Sequence, residues 1–209
     1  MSGIIVFLMI SIGRGIAVQL AKCGAKVLAL DVTKESLDKL KAEMPEIDII
    51  NVDLCDWTAT KEAIKKAYPI DLLVNSAGVG SIVTLMEVTE EKYNVIFNVN
   101  VKALINVTRT VIENLLDRKS PGAIVNISSQ AAIAALPNHT LYSASKAAVD
   151  AFTRAVAMDF GRNGIRINSV NPTVVMTDLG RRFWSDPVLA EPMLAKIPLN
   201  SVAPTCFRT

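Results

Sequence analysis

Histidine is nearly absent from this sequence, cysteine is scarce, and no stretch gathers charge of one sign. His139 stands alone in 209 residues. The three cysteines, Cys23, Cys55 and Cys206, are widely spaced, with no Cys-x-x-Cys pair and no Cys/His group. That pattern argues against a metal site or a disulfide framework and fits reduced thiols in a cytoplasmic protein. Lys and Arg number 22 against 20 Asp and Glu, a net charge of +2 with the signs interspersed. Without a basic tract to follow a phosphate backbone, nucleic acid is not an expected partner. The apolar run Gly3–Ile10 has no positive charge before it and is too short to span a bilayer, so no membrane association is expected. It reads as a buried first strand. Linker-like composition and internal repeats are also missing, which predicts one domain over 1–199 and an irregular tail over 200–209.

What is present is a hydrophobic half (51%) distributed in short blocks. Apolar runs at Ile4–Ile10, Lys26–Leu30, Ile47–Val52, Asp71–Asn75, Ala123–Ser128 and Arg166–Asn171 read as strands. Between them, helical spacing covers Gly15–Cys23, Lys34–Glu43, Thr58–Ala67, a long stretch Glu90–Leu116, and Ser143–Asp159. Continuous apolar strands alternating with helices predict an α/β fold, a mostly parallel sheet of six strands covered on both faces.

Open parallel sheets collect ligands at the carboxyl ends of their strands. Polar residues line those ends here: Asp31, Asp53, the turn Asn75-Ser76-Ala77-Gly78, Ser128-Ser129, and Asn171-Pro172-Thr173. Each residue type also favours ordinary turns, so one alone says little. Tyr142 and Lys146 lie four residues apart where an Ala-rich helix begins, hence on one face. A cation beside a phenol favours the phenolate, and such a phenol can exchange a proton with a carbonyl or alcohol oxygen. Two exposed residues on a helix surface would show the same spacing.

Asn75-Ser76-Ala77-Gly78, Asn98-Val99-Asn100, Ile127-Ser128-Ser129, Tyr142-x-x-x-Lys146 and Asn171-Pro172 occur together in the order and spacing of one family. On these motifs the sequence resembles the short-chain dehydrogenase/reductase family over roughly residues 13–199; the segments Val52–Trp57, Pro121–Gln130, Asn171–Thr177 and Trp184–Pro187 resemble most of all its branch that reduces ketoses such as xylulose and α-dicarbonyls. The resemblance implies a doubly wound, Rossmann-type sheet and an NAD(P)(H)-dependent carbonyl reductase. It implies Tyr142 as general acid/base, Lys146 as its pKa-lowering cation and ribose ligand, Ser129 as the group that positions the carbonyl, and Asn100 both as anchor of a relay water and as a helix-kink residue bonded to backbone. The nucleotide would meet Ser11, Ile12 and Gly13 at the first turn, then Asp31, Asp53, Leu54, Asn75, Ala77 and Gly78. Pro172, Val175 and Thr177 would border the nicotinamide, beside Tyr142 and Lys146. Ser129, Gln130, Leu136, His139 and Trp184 would surround a small carbonyl or polyol substrate. Asp31 points to NAD(H), although the branch uses NADP(H). A homotetramer is the family's assembly.

The sequence departs from the family at both ends. The pattern Thr-Gly-x-x-x-Gly-Ile-Gly is replaced by Val6 to Gly13, with Phe7 and Ser11 where glycines belong. Glycines there permit the turn and let the backbone approach the pyrophosphate, so the phosphate cradle is either damaged or rebuilt as a shortened loop. After Leu199 the expected last helix and strand give way to Asn200–Thr209. A seventh strand is therefore not expected, the sixth becomes an edge, and the tetramer interface changes. Two further functions stay open: an impaired form acting through subunit interaction, and a reductase of another substrate such as a 3-oxoacyl thioester or secondary alcohol.

Overall fold

The computed structural model describes residues 4–8, 12–176, 181, 185–186, 190–191 and 194–198. Among them, six strands form one sheet in the order β3-β2-β1-β4-β5-β6. They are β1 (Ile4–Leu8), β2 (Lys26–Asp31), β3 (Asp48–Asn51), β4 (Ile70–Asn75), β5 (Gly122–Ile127) and β6 (Ile165–Val170). Every neighbouring pair is parallel. Connections are α1 (Ile12–Lys22), α2 (Lys34–Glu43), α3 (Trp57–Lys66), α4 (Glu90–Phe97), α5 (Leu104–Asp117) and α6 (Thr140–Phe160). Chain order reverses about β1, which lies between β2 and β4, and this switch point is where such sheets open a crevice.

Strand alternation builds two cores. In β2, Leu28 and Leu30 point to one face with Ile64 of α3 and Val107, Val111 and Leu115 of α5. Val27 and Ala29 point to the other, against Ala17 and Val18 of α1 and Leu37 and Leu40 of α2. A period of two lets one apolar run serve both layers. Each fully buried Leu or Ile, such as Leu30, Leu37, Ile64 and Leu115, contributes roughly 1.5–3 kcal/mol.

Local signals set the boundaries. Gly24 ends α1 at φ +82, its N–H reaching Ala21 O at 2.8 Å, a conformation that suits glycine. Asp56 caps α3 by accepting from Ala59 N at 2.9 Å. The α2 limits match the sequence reading, and the other strands and helices fall within about three residues of it.

The long helix is a correction. Glu90–Leu116 reads as continuous, but a π segment, Asn98–Ala103, separates α4 from α5. It contains a buried polar side chain, described below, that bonds to a neighbouring loop; π turns commonly mark such sites. The stretch Glu90–Asp117 is also long and apolar enough to cross a membrane. In the fold, Val107, Val111, Ile112 and Leu115 lie in the core against the sheet. Among the described residues β6 lies at an edge of the sheet. Residues 200–209 lie outside them.

Candidate active site

Helix α6 starts just after the turn at the carboxyl end of β5 and carries Tyr142 and Lys146 toward the sheet. Lys146 is buried, and its Nζ donates to Ile127 O, the last residue of β5, at 2.8 Å. The ammonium lies over the Tyr142 ring, 5.9 Å from its centroid. Gly78, after β4, leaves room for this: a Cβ there would sit 3.2 Å from Lys146 Nζ and 3.4 Å from Asn100 Oδ1. Burial lowers the Lys146 pKa to about 8, opposed by the charge of Asp150.

Tyr142 corrects the expected direction. Burial pushes its phenol above the ordinary tyrosine value, and a hydrogen bond with the Ser129 side chain pulls the other way. The predicted lowering by Lys146 is not what dominates here, because the ammonium is directed to a main-chain carbonyl and the ring is itself largely desolvated. Ser129 lies two residues beyond β5 and caps a short turn, Oγ accepting from Ala131 N at 3.1 Å. Its carbonyl accepts from Asn171 Nδ2 at 3.0 Å.

Asn100 sits inside the π segment, buried. Its Oδ1 accepts from Val79 N at 2.8 Å, while Nδ2 donates to Val79 O at 3.0 Å and to Ser145 Oγ at 2.9 Å. Both side-chain N–H donors are thus engaged, and the amide joins the helix to the loop after β4. Sequence reasoning missed Ser145, which passes this bond on by donating to Tyr142 O at 2.8 Å. It missed the roles of Ser128, whose Oγ donates to Lys146 O at 3.1 Å, and of Asp150. The spacing of Asp150, four residues after Lys146, was a usable signal, since it repeats the interval from Tyr142 to Lys146.

The predicted nucleotide residues separate into three groups. Asp31 ends β2, largely buried, with Oδ1 accepting from Thr33 N at 2.7 Å; burial raises its carboxyl pKa, and Val32 beside it is exposed. Ala77, Gly78 and Pro172 follow strand ends at the same edge of the sheet, Val175 lies a few residues further on, and Leu54 is buried after β3. Two side chains are turned elsewhere. Asp53 Oδ1 accepts from Cys55 N at 2.9 Å within its own loop. Asn75 Nδ2 donates to Thr108 Oγ1 and Asn126 Oδ1 inside the fold, so contact with a nucleotide from this position would run through the backbone.

At the first turn, β1 pairs with β4 through Phe7–Val74 and Leu8–Asn75, so Phe7 belongs to a strand and not to the turn. Only residues 9–11 separate Leu8 from Ile12, the shortened-loop alternative. Gly13 is buried in α1 and Ile12 packs on the core. Ser11, Thr177 and Trp184 lie outside the described residues. Of the predicted substrate group, Gln130 opens the turn after Ser129 and Leu136 O accepts from His139 N at 3.2 Å. His139 precedes α6, its Nδ1 2.7 Å from Pro137 O and its ring edge-on to Tyr142 at 6.2 Å. With a carboxylate acceptor after β2, a side-chain-free approach at Gly78 and the switch point at β1, the cleft fits a nicotinamide dinucleotide.

Comparison with known proteins points the same way. Residues 4–187 match a family model described as short chain dehydrogenase. The chain is 47% identical over 192 residues to an L-xylulose reductase of Mus musculus, covering 92% of this chain and 79% of that protein. It is 44% identical over 192 residues to a D-erythrulose reductase of Gallus gallus, covering 92% and 78%. An actinorhodin polyketide ketoreductase solved with NADPH has a TM-score of 0.89 at 27% identity, over 98% of this chain and 86% of that one.

Proposed function

This chain belongs to the short-chain dehydrogenase family and is an NAD(P)-dependent oxidoreductase, and from that premise we propose that it reduces a ketose or α-dicarbonyl, xylulose-like, to its alcohol. The observation that carries the reading is a buried Lys146 whose ammonium lies over the Tyr142 ring, with Ser129 at the turn that follows β5. Likeness to reductases of L-xylulose and D-erythrulose supports a short polyhydroxy ketone over a thioester.

When bound, the dinucleotide supplies the hydride for the carbonyl carbon. Ser129 holds the carbonyl oxygen next to the phenol, and the raised pKa keeps Tyr142 protonated and ready to donate. Lys146 remains an ammonium below about pH 8, where its charge favours the phenolate left after transfer. Asn100 and Ser145 hold the start of α6 against the loop after β4, which fixes the phenol's approach. Gln130, Leu136, His139 and Trp184 would contact the substrate, while Thr177 and Ser11 would complete the nucleotide contacts. Asp31 favours NAD(H): its carboxylate can accept from ribose hydroxyls and repels a 2′-phosphate, and Val32 offers no cation. A cytoplasmic homo-oligomer is the setting we infer.

The test is a titration with NADH and with NADPH followed by nicotinamide fluorescence, then turnover of xylulose and diacetyl. Saturable micromolar binding, tighter for NADH, and turnover abolished in Tyr142→Phe are expected. Absence of binding up to millimolar nucleotide overturns the enzyme reading and leaves a subunit-interaction role.

A further inference from the structure

Asp150 is half-buried, one turn beyond Lys146 on α6. Its Oδ2 accepts from Asn171 Nδ2 at 2.8 Å, and the same nitrogen donates to Ser129 O at 3.0 Å. One amide group therefore joins the α6 carboxylate to the main chain of Ser129. The surrounding backbone is already paired: Ser128 N donates to Val170 O at 2.8 Å and Gln130 N to Pro172 O at 2.9 Å. Ser129 lies between these two bonds, and Asn171 closes the gap. The second carboxylate oxygen, Oδ1, is buried without a hydrogen-bond partner among the described residues. A buried carboxylate left half-satisfied is unfavourable unless a charge lies nearby.

The nearby charge is Lys146. On α6 its titratable neighbours are Tyr142 and Asp150. The loop after β4 brings Gly78, the π segment Asn100, and β5 the Ile127 carbonyl, none of them charged. Lys102 of the π segment turns away to Cys55 O at 3.4 Å. Among the described residues, Asp150 is the acid whose charge opposes the effect of burial on the ammonium.

We propose that Asp150 is a positioning residue of this site, tethering Ser129 through Asn171 and serving as the counter-charge of the buried Lys146 ammonium. The proposal rests on the reductase reading for its kinetic consequences but not for its electrostatic ones. Asp150→Asn keeps an acceptor for Asn171 and removes the charge. The high-pH limb of kcat/KM then moves to lower pH by roughly one unit, the size of effect an opposite charge one helical turn away exerts. The Lys146 titration, followed by 13C NMR of labelled lysine Cε and assigned with Lys146→Arg, moves the same way without nucleotide or substrate. Asp150→Glu, which keeps the charge, returns that titration toward wild type.

Asn171→Ala makes the complementary cut, severing the tether while the carboxylate stays. KM for the carbonyl substrate rises about tenfold, the loss expected for one well-placed hydrogen bond, and the Lys146 titration does not move. A Lys146 titration unchanged in Asp150→Asn overturns the counter-charge role; an unchanged KM in Asn171→Ala overturns the tether. Should Asp150→Asn not fold, the tether is still judged by Asn171→Ala and the charge by Asp150→Ser, in which the Lys146 titration must likewise move to lower pH and whose unchanged titration overturns the counter-charge role. If turnover survives in Tyr142→Phe, the reductase reading fails instead, and the NMR titration alone decides on Asp150.

Discussion

The two ends of the cleft are built on opposite principles. At the β4–β5–α6 end, buried polar side chains tie elements together: Asn100 to Val79 and Ser145, Lys146 to Ile127, Asn171 to Ser129 and Asp150. At the β1–α1 end, the family's design depends on side chains being absent, and this chain has Phe7 within the strand and only residues 9–11 before α1. A network of side chains tolerates change elsewhere in the chain because its geometry is held by its own bonds. A glycine cradle has no such reserve, since any added Cβ enters the space of the ligand. The β4–β5–α6 end can therefore keep its geometry while the β1–α1 end diverges.

The largest expected effect separates the ends outright. Tyr142→Phe lowers kcat about a hundred- to ten-thousand-fold, the usual range for a general acid, while the nucleotide Kd stays put. Weaker nucleotide binding in that variant, measured by fluorescence, would merge the two ends. Next in size, Asp31→Ser combined with Val32→Arg moves the ratio of kcat/KM for NADPH over NADH upward by about ten- to a hundred-fold, as a charge-assisted bond replaces a repulsion. Steady-state kinetics with both nucleotides reads this, and a constant ratio removes Asp31 from cofactor choice.

Gly122→Ala serves as the scaffold control. A Cβ there would lie 2.5 Å from Leu115 Cδ1 and 3.1 Å from Asp71 O, so the urea midpoint falls by about 1–3 kcal/mol of stability with kcat of the folded enzyme unchanged. A kcat change would couple the core to the site. The smallest effect is at the first turn. Ser11→Gly tightens the nucleotide Kd by about threefold, well under 1 kcal/mol. A much larger gain in calorimetry would mean that the serine blocks the phosphates.

How far each end could be read beforehand follows from the same contrast. The alternation of apolar strands with helices was legible as a parallel sheet covered on both faces, and the spacing of Tyr142 and Lys146 placed them on one helix face, whereas Ser129 and Asn100 were named through the family motifs. A kink at Asn100 with a backbone partner followed from the family motif, but the six-residue π segment Asn98–Ala103 did not, because it keeps helical composition and only the partners of Asn100 break the pattern. The direction of the Tyr142 pKa was misjudged for a related reason: spacing reports that Lys146 is near, but not that it turns to Ile127 O while burial of the ring dominates. Asn75 was similarly ambiguous, a turn residue by type and an interior hydrogen-bond donor in place.

Local pattern was enough to establish the parallel α/β sheet, the six strands among the described residues and the residue types that converge on one edge. Periodicity and turn chemistry act between neighbours in the chain, and those are visible in one dimension. Tertiary structure alone decided which polar side chains serve the cleft and which serve the scaffold, and that Asp150, Asn171 and Ser129 form one connected unit. Such choices depend on burial and on partners 21 to 45 residues away, where desolvation and hydrogen bonding are settled by three-dimensional proximity.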